Sequence, residues 1–400
     1  MREQLEGSRA VAEAVIRCRP GVVCAYPITP QTHIVEALGV AVRTGALAPC
    51  TFLNAESELA ALSALIGASV AGSRAYTATA SQGLLYMAEA VYNAAGLELP
   101  LVMTVANRAI GAPINIWNDH SDAMALRDAG WVQLYAGDTQ EAVDLHLLAF
   151  RLAEAVSLPV MVCMDGFVLT HAVEEVDVPA RGAVDRFLPP RPLGGRQVLD
   201  PDHPATIGTM VGPDAYTEVR FLAHRRMLRV LDVLPHLAAD LEAVTGRRLG
   251  LVRPYRLDGA ETMVVAQGSV LGTLAEVVDS LRDEGVAVGS LGVTAFRPFP
   301  DDEVAAALAA ARRVVVVDRA LAPSRGGLLA AEVARSVPPA VPVVDVVAGL
   351  GGRPITRGEL RRCVLDAVAG SLPPLYLLGL HPEALADELT GMGAAGAGRP

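Results

Sequence analysis

A chain of 400 residues, 52% hydrophobic and 19% charged, is long enough for two or three domains with separate cores and too apolar to stay disordered. A net charge of −11 argues against nucleic acid as a partner, since phosphates call for clustered Lys and Arg; the one basic cluster, Arg225, Arg226 and Arg229, reads as a solvated helix face. No run reaches the ~18–20 apolar residues of a membrane span, and the mixed-charge start Met1-Arg2-Glu3-Gln4 is unlike a signal peptide, so the expected compartment is the cytoplasm.

From residue 8 to about 175 short apolar runs alternate with helical stretches. Strands are predicted at Gly21–Tyr26, Thr51–Asn54, Arg74–Thr79, Pro100–Val105, Val132–Tyr135 and Leu158–Met164. The clearest helix covers Thr139–Val156, with Asp138 as N-cap and Glu141 at N3. This alternation predicts an α/β fold with a doubly wound, mostly parallel sheet over residues 1–175.

A Pro- and Gly-rich stretch from Val176 to Met210, including Leu188–Gly195, reads as an extended connector, and a helix is expected from Tyr216 to about Thr245. Connector and helix together occupy 176–255. A smaller α/β domain follows over 256–375, with strands at Thr262–Gln267, Ala287–Val293, Val314–Asp318 and Val341–Val347. Residues 376–400 end in the low-complexity run Gly391–Pro400 and read as a tail.

The five cysteines, Cys18, Cys24, Cys50, Cys163 and Cys363, are dispersed and show no C-x-x-C spacing. They suit neither a disulfide framework nor an iron–sulfur site, and Cys24 and Cys163 lie in apolar runs as small buried hydrophobes.

Ligands of open α/β sheets bind beyond the carboxyl ends of the strands, so the strand exits carry the candidates. After the first strand comes Tyr26-Pro27-Ile28-Thr29-Pro30-Gln31. Two prolines there either fix one Thr29 hydroxyl rigidly or simply mark a helix entry, with Thr29 as N-cap and Pro30 at N1. After the second, Glu56-Ser57-Glu58 either places acids on a helix dipole or holds one glutamate in an apolar setting against a cofactor. Ser81-Gln82-Gly83 follows the third strand, where Gly83 permits close approach but the lysine of a phosphate loop is missing. Arg108 follows the fourth and could clamp a carboxylate. Asp119, His120 and Asp122 read as a hydrogen-bonded loop brace before a metal site, and Asp165-Gly166 as a turn. No metal ligands are expected on this chain.

The wording of these exits goes further. Ala25-Tyr26-Pro27-Ile28-Thr29-Pro30, Glu56-Ser57-Glu58, Thr77-Ala78-Thr79-Ala80-Ser81-Gln82-Gly83-Leu84, Ala106-Asn107-Arg108-Ala109 and Met164-Asp165-Gly166-Phe167 occur in that order. Together they resemble the α-type, pyrimidine-binding subunit of pyruvate:ferredoxin and other 2-oxoacid:ferredoxin oxidoreductases. The likeness is strong in the first domain and looser in the second, where Phe296-Arg297-Pro298-Phe299-Pro300 lies and a transketolase C-terminal-like fold is implied.

The resemblance implies oxidative decarboxylation of a 2-oxoacid, pyruvate first, to an acyl-coenzyme A, with electrons passing to ferredoxin. It makes Glu58 the partner of the aminopyrimidine N1′ of thiamine diphosphate, Thr29 a neighbour of the reacting carbonyl and Arg108 the clamp on the substrate carboxylate. Tyr26, Pro27, Ser81 and Gln82 would join Glu58 and Thr29 around the cofactor. It also implies that Mg²⁺ and iron–sulfur clusters sit on partners, a β-type thiamine-binding subunit, a γ-type subunit and a ferredoxin or ferredoxin-like subunit. This chain shows no Gly-Asp-Gly with a downstream Asn to hold Mg²⁺ and diphosphate. The alternatives are a non-oxidative decarboxylase or carboligase subunit, and a scaffold subunit without chemistry.

Overall fold

The computed structural model describes residues 2–190, 198–386 and 388. The 391–400 tail and positions 191–195 of the Pro/Gly run therefore lie outside the described residues. In chain order the first part holds β1 (Arg2–Glu6), α1 (Gly7–Cys18), β2 (Val22–Ala25), α2 (Thr32–Arg43), β3 (Thr51–Asn54), α3 (Glu58–Val70), β4 (Ala75–Thr79), α4 (Ser81–Tyr86), α5 (Ala88–Gly96) and β5 (Leu101–Asn107). It continues with α6 (Ser121–Ala125), β6 (Val132–Tyr135), α7 (Thr139–Val156), β7 (Val160–Asp165), β8 (Val173–Asp177), α8 (Arg181–Phe187) and α9 (Pro213–Thr245). Then come β9 (Val252–Tyr255), β10 (Thr262–Ala266), α10 (Val270–Asp283), β11 (Val288–Val293), β12 (Ala295–Arg297), α11 (Asp301–Leu308) and β13 (Arg313–Asp318). The last are β14 (Leu321–Ala322), β15 (Gly326–Gly327), α12 (Leu328–Ser336), β16 (Val343–Val347), α13 (Arg357–Ala369) and β17 (Leu375–Leu377).

Two compact units divide the chain. The first comprises Met1–Arg253, Gln267–Ser269 and Val293–Pro300. Its sheet runs β12-β6-β7-β5-β4-β2-β3, all parallel except the antiparallel edge strand β12. β4, β5 and β7 are buried along their whole length, which explains their mostly apolar sequences, in which the polar exceptions Thr77, Thr79, Thr104, Asn107 and Asp165 are buried as well. The helices α1, α2 and α7 pack together on one face, while α3 and α5 pack together on the other. The chain runs outward from β2 to β3 and then returns past β2 to β4, so the winding reverses at β2. The carboxyl ends there form the crevice of a doubly wound sheet.

Where α7 was expected, it lies, and the Asp138 carboxylate accepts the Glu141 N–H at 2.7 Å. α9 spans 33 residues and buries Val230, Leu234, Leu237, Ala238 and Leu241, packing on α7. Where the extended connector was read to begin, β8 (Val173–Asp177) instead pairs antiparallel with the N-terminal β1, and α8 follows inside that stretch. Neither has an apolar period long enough to show in the sequence.

In the second unit, Pro254–Ala266, Val270–Gly292 and Asp301–Pro400, the sheet order is β17-β16-β13-β10-β11-β9. The pairs from β17 to β11 are all parallel. Its core is a valine-rich layer, Val264, Val277, Val315, Val317, Val346 and Val364, and a capping box of Thr356 and Glu359 starts α13.

All five cysteines are free thiols; Cys18, Cys24, Cys163 and Cys363 are buried, which bears out the reading of Cys24 and Cys163 as small buried hydrophobes. Burial pushes the Cys363 thiol up to about 12. No helix among the described residues is long and apolar enough to cross a membrane.

Candidate active site

At the exit of β2 the chain does not enter a helix at Thr29. The Gln31 N–H bonds the Ile28 carbonyl at 2.9 Å, closing a turn, and the Gln31 side-chain amide donates back to the Tyr26 carbonyl at 2.9 Å. α2 begins only at Thr32, with Gln31 at the cap position. The helix-entry reading, with Thr29 as N-cap and Pro30 at N1, is thus corrected: the buried Gln31 holds Tyr26–Gln31 as a separate loop. Thr29, Tyr26 and Pro27 are exposed along it, while Pro30 is buried. Gly166, after β7, makes room for Pro30, because a Cβ there would come within 2.6 Å of the Pro30 ring and of the Asn107 carbonyl.

At the exit of β3 the two glutamates separate. Ser57 is the N-cap of α3, its hydroxyl accepting the Ala60 N–H at 3.2 Å. Glu56 stays exposed, whereas Glu58, the first helical residue, is only 7% exposed. Its carboxylate presses on the backbone of Gly83: a Cβ on that glycine would stand 2.5 Å from Glu58 Oε1 and 2.8 Å from Thr79 Oγ1. The close approach expected of Gly83 therefore has a named neighbour. Among the described residues, no hydrogen-bond or ion-pair partner holds the Glu58 carboxylate, and the buried Thr79 hydroxyl beside Gly83 is likewise unpaired.

The exits of β4 and β5 are tied through one carboxylate. Asp122, fully buried in α6, accepts the backbone N–H groups of Ser81 (2.9 Å), Arg108 (3.0 Å) and Ala123 (2.7 Å) and the Asn107 side-chain amide (2.8 Å). Burial pushes its carboxyl up, and those hydrogen bonds oppose the shift. Ser81 is held at φ 49°, a left-handed conformation rare for a residue with a side chain, and the Asp122 contact fixes it there. The Ser81 hydroxyl turns inward to the Ala109 carbonyl at 2.5 Å, and Gln82 is half-buried beside Gly111.

Arg108 is 6% exposed. Its Nε donates to the Asn115 carbonyl at 3.0 Å and its Nη1 to the Thr29 carbonyl at 3.0 Å. Burial pushes the guanidinium down from its ordinary value, and Asp122 opposes this. A continuous chain of contacts therefore runs from Glu58 to Gly83, through Ser81 and Asp122, to Arg108 and Thr29.

The Asp119–Asp122 stretch is a brace, as expected. Asp119 accepts the backbone N–H of Ser121 at 3.0 Å, and His120 Nε2 bonds Asp165 Oδ1 at 2.8 Å. Asp165 is more than a turn residue, since its other oxygen accepts the Ser269 N–H at 2.7 Å. The sequence marked Asp122 only as part of a local loop brace; its partners Ser81 and Arg108 stand 41 and 14 residues earlier, and no local spacing reports them.

Comparison with known proteins gives the family of the chain. Residues 13–235 match the family model "Pyruvate flavodoxin/ferredoxin oxidoreductase, thiamine diP-bdg", and residues 260–360 match "Pyruvate:ferredoxin oxidoreductase core domain II". The chain is 47% identical over 358 residues to pyruvate synthase subunit PorA of Methanosarcina barkeri, covering 88% of this chain and 89% of that one. It is 36% identical to ketoisovalerate oxidoreductase subunit VorA of Pyrococcus abyssi, covering 92% and 93%. Among solved structures, 2-oxoglutarate:ferredoxin oxidoreductase from Magnetococcus marinus superposes with a TM-score of 0.71 at 20% identity. That alignment covers 92% of this chain and 65% of the longer one, and it shows the shared fold.

Proposed function

The chain belongs to the pyruvate flavodoxin/ferredoxin oxidoreductase family, and from that premise we propose how its residues take part in the reaction. It is a subunit of a 2-oxoacid:ferredoxin oxidoreductase with pyruvate as the favoured substrate, and it carries a thiamine-diphosphate-binding domain.

The observation that carries the residue-level reading is the Glu58 carboxylate, buried against Gly83 with no partner of its own among the described residues. A carboxylate in that setting is free to share a proton with a ring nitrogen laid over Gly83, where no Cβ intervenes. The unpaired Thr79 hydroxyl lies beside Gly83 as well, so the residues present fit an aminopyrimidine ring, with the half-buried Gln82 next along α4. When bound, thiamine diphosphate supplies the nucleophilic carbon and the electron sink for decarboxylation.

Glu58 holds the proton at the pyrimidine N1′. Arg108, with Nε and Nη1 already bonded to main-chain carbonyls, turns its remaining N–H groups to the substrate carboxylate. The exposed Thr29 hydroxyl faces the 2-oxo group. Tyr26 and Pro27 form the rest of the exposed rim. The inward-turned Ser81 hydroxyl shapes α4 and leaves cofactor contact to Gln82.

The finer assignments belong to the same reading. A β-type partner subunit holds Mg²⁺ and the diphosphate, and partner iron–sulfur clusters relay electrons to ferredoxin. A γ-type subunit completes the assembly, coenzyme A takes the acyl group, and the enzyme works in the cytoplasm.

Co-expression with the partner subunits tests this. The purified complex should reduce a viologen dye with pyruvate and coenzyme A, faster than with branched-chain 2-oxoacids or 2-oxoglutarate. Release of free aldehyde without dye reduction points to a non-oxidative decarboxylase, and no turnover of any 2-oxoacid points to a scaffold; either overturns the proposal.

A further inference from the structure

Glu6, His33 and His171 come from three separate parts of the first unit: the end of β1, the first turn of α2 and the loop between β7 and β8. One ligand atom from each lies within 4.8 Å of the others. His33 Nδ1 stands 2.7 Å from Glu6 Oε1, and the two imidazole rings lie side by side, tilted by 38° with centroids 5.0 Å apart. None of the three takes part in the proposed chemistry.

The backbone fixes this arrangement before any ligand arrives. β1 and β8 pair so that Glu6 stands opposite Val173, and the N–H groups of Gly7 and Ser8 bond the carbonyls of Ala172 (2.9 Å) and Thr170 (2.8 Å). The Ser8 hydroxyl adds a second bond to Thr170 O at 2.9 Å. Gly7 is pressed so closely on this loop that a Cβ would stand 1.7 Å from the Leu169 carbonyl oxygen. Glu6 and His171 are thus held side by side, and α2, packed on α1, brings up His33.

The imidazole of His171 is oriented in the manner of a metal ligand. Its Nδ1 is bonded to the Thr170 hydroxyl at 2.7 Å, and that hydroxyl also accepts the Phe167 N–H at 2.8 Å. Phe167 packs on the ring, centroids 4.8 Å apart. In the tautomer whose Nδ1–H donates to that hydroxyl, Nε2 carries the lone pair that a metal takes.

We propose that Glu6, His33 and His171 form a binding site for one divalent transition metal ion of the zinc type. Two imidazoles and one carboxylate are borderline ligands suited to Zn²⁺ or Co²⁺, whereas Mg²⁺ and Ca²⁺ prefer all-oxygen sets. Three protein ligands leave one position open, so the ion keeps a water molecule. Binding clamps the start of α2, directly beyond the Thr29 loop, to the loop after β7. The sequence reading expected no metal ligands here, since these residues are 27 and 138 positions apart in succession.

The test uses the full-length, tag-free chain, stripped with chelator and titrated with Zn²⁺ by calorimetry and with Co²⁺ by its visible spectrum. One equivalent should bind per chain, with a cobalt band of low coordination number and a raised unfolding temperature. His33→Gln and His171→Gln should each weaken binding beyond the ~10–100-fold typical of losing an outer-shell partner. Cys50→Ser and His203→Gln serve as controls and should leave it unchanged. Absence of binding, or a loss of affinity in either His variant no greater than the ~100-fold of an outer-shell partner, overturns the proposal; circular dichroism checks that the variants are folded. Activity is not the readout, so the outcome is independent of the proposed reaction.

Discussion

Arg108 Nη1 donates a hydrogen bond to the main-chain carbonyl of Thr29 at 3.0 Å. The two residues assigned to the substrate end of the site, 79 positions apart, therefore form one unit. The guanidinium fork is needed for this, since Nε is simultaneously committed to the Asn115 carbonyl. A lysine ammonium is a point charge and cannot reproduce both contacts while facing a carboxylate. Arg108→Lys should lower kcat/KM for pyruvate by about 10–150-fold, the equivalent of one charged hydrogen bond of ~1.5–3 kcal/mol. Most of the change should appear in KM. Steady-state kinetics of the assembled complex decide this, and an unaltered KM removes Arg108 from carboxylate binding.

Gly83 is required by the neighbour it touches. A methyl group placed 2.5 Å from Glu58 Oε1 must push the carboxylate away or fill the space meant for the ring. Gly83→Ala should weaken thiamine diphosphate binding at least ~10-fold, an overpacking cost of ~1.4 kcal/mol or more. Calorimetric titration of the complex measures it, and parental affinity in the variant is the contrary result.

Asp122 acts through others. With its two oxygens it accepts four donors, and an Asn side chain offers only one acceptor oxygen. Asp122→Asn should destabilise the first unit by roughly 1–3 kcal/mol through unsatisfied buried N–H groups. It should also raise KM for pyruvate, because Arg108 loses its backbone anchor. Denaturant unfolding together with kinetics separates the two effects. A variant as stable as the parent contradicts the bracing role.

These particulars show what the sequence could and could not disclose. β4, β5 and β7 were legible because burial on both faces keeps each mostly apolar, with Asp165 at the end of β7 as the single charge. β12 and β17, three residues each, are shorter than any period that could announce them. The exits after β2 to β5 were legible as candidate positions from the strand–helix alternation, but not their internal bonds. Whether Thr29 capped a helix depended on Gln31 folding back to Tyr26, a choice made by burial and not by local propensity. Glu58 could be told from Glu56 only by resemblance, until the structure showed one buried and the other exposed.

A pH dependence of stability follows from a buried chain of hydroxyls. The Tyr76 hydroxyl contacts Thr104 Oγ1 at 2.6 Å, Thr104 contacts His146 Nε2 at 2.5 Å, and His146 Nδ1 bonds the Ala142 carbonyl at 2.6 Å. Burial lowers the His146 imidazole from 6.5 to about 4. Between those values the unfolded chain takes up a proton that the folded chain refuses, so stability falls as pH drops from 6.5 toward 4. At pH ~5 the loss from this group should be about 2 kcal/mol. Urea unfolding at pH ~7 and ~5 should show a smaller loss in His146→Gln than in the parent. Equal losses in both refute the assignment.

The most direct measurement is turnover of the reconstituted complex carrying Glu58→Gln. An amide matches the shape of the carboxylate but cannot hold or pass the proton at the pyrimidine nitrogen. The expected result is a fall in kcat of roughly 10²–10⁴-fold with subunit assembly and pyruvate KM little changed. Parental turnover in this variant would contradict the account at its centre.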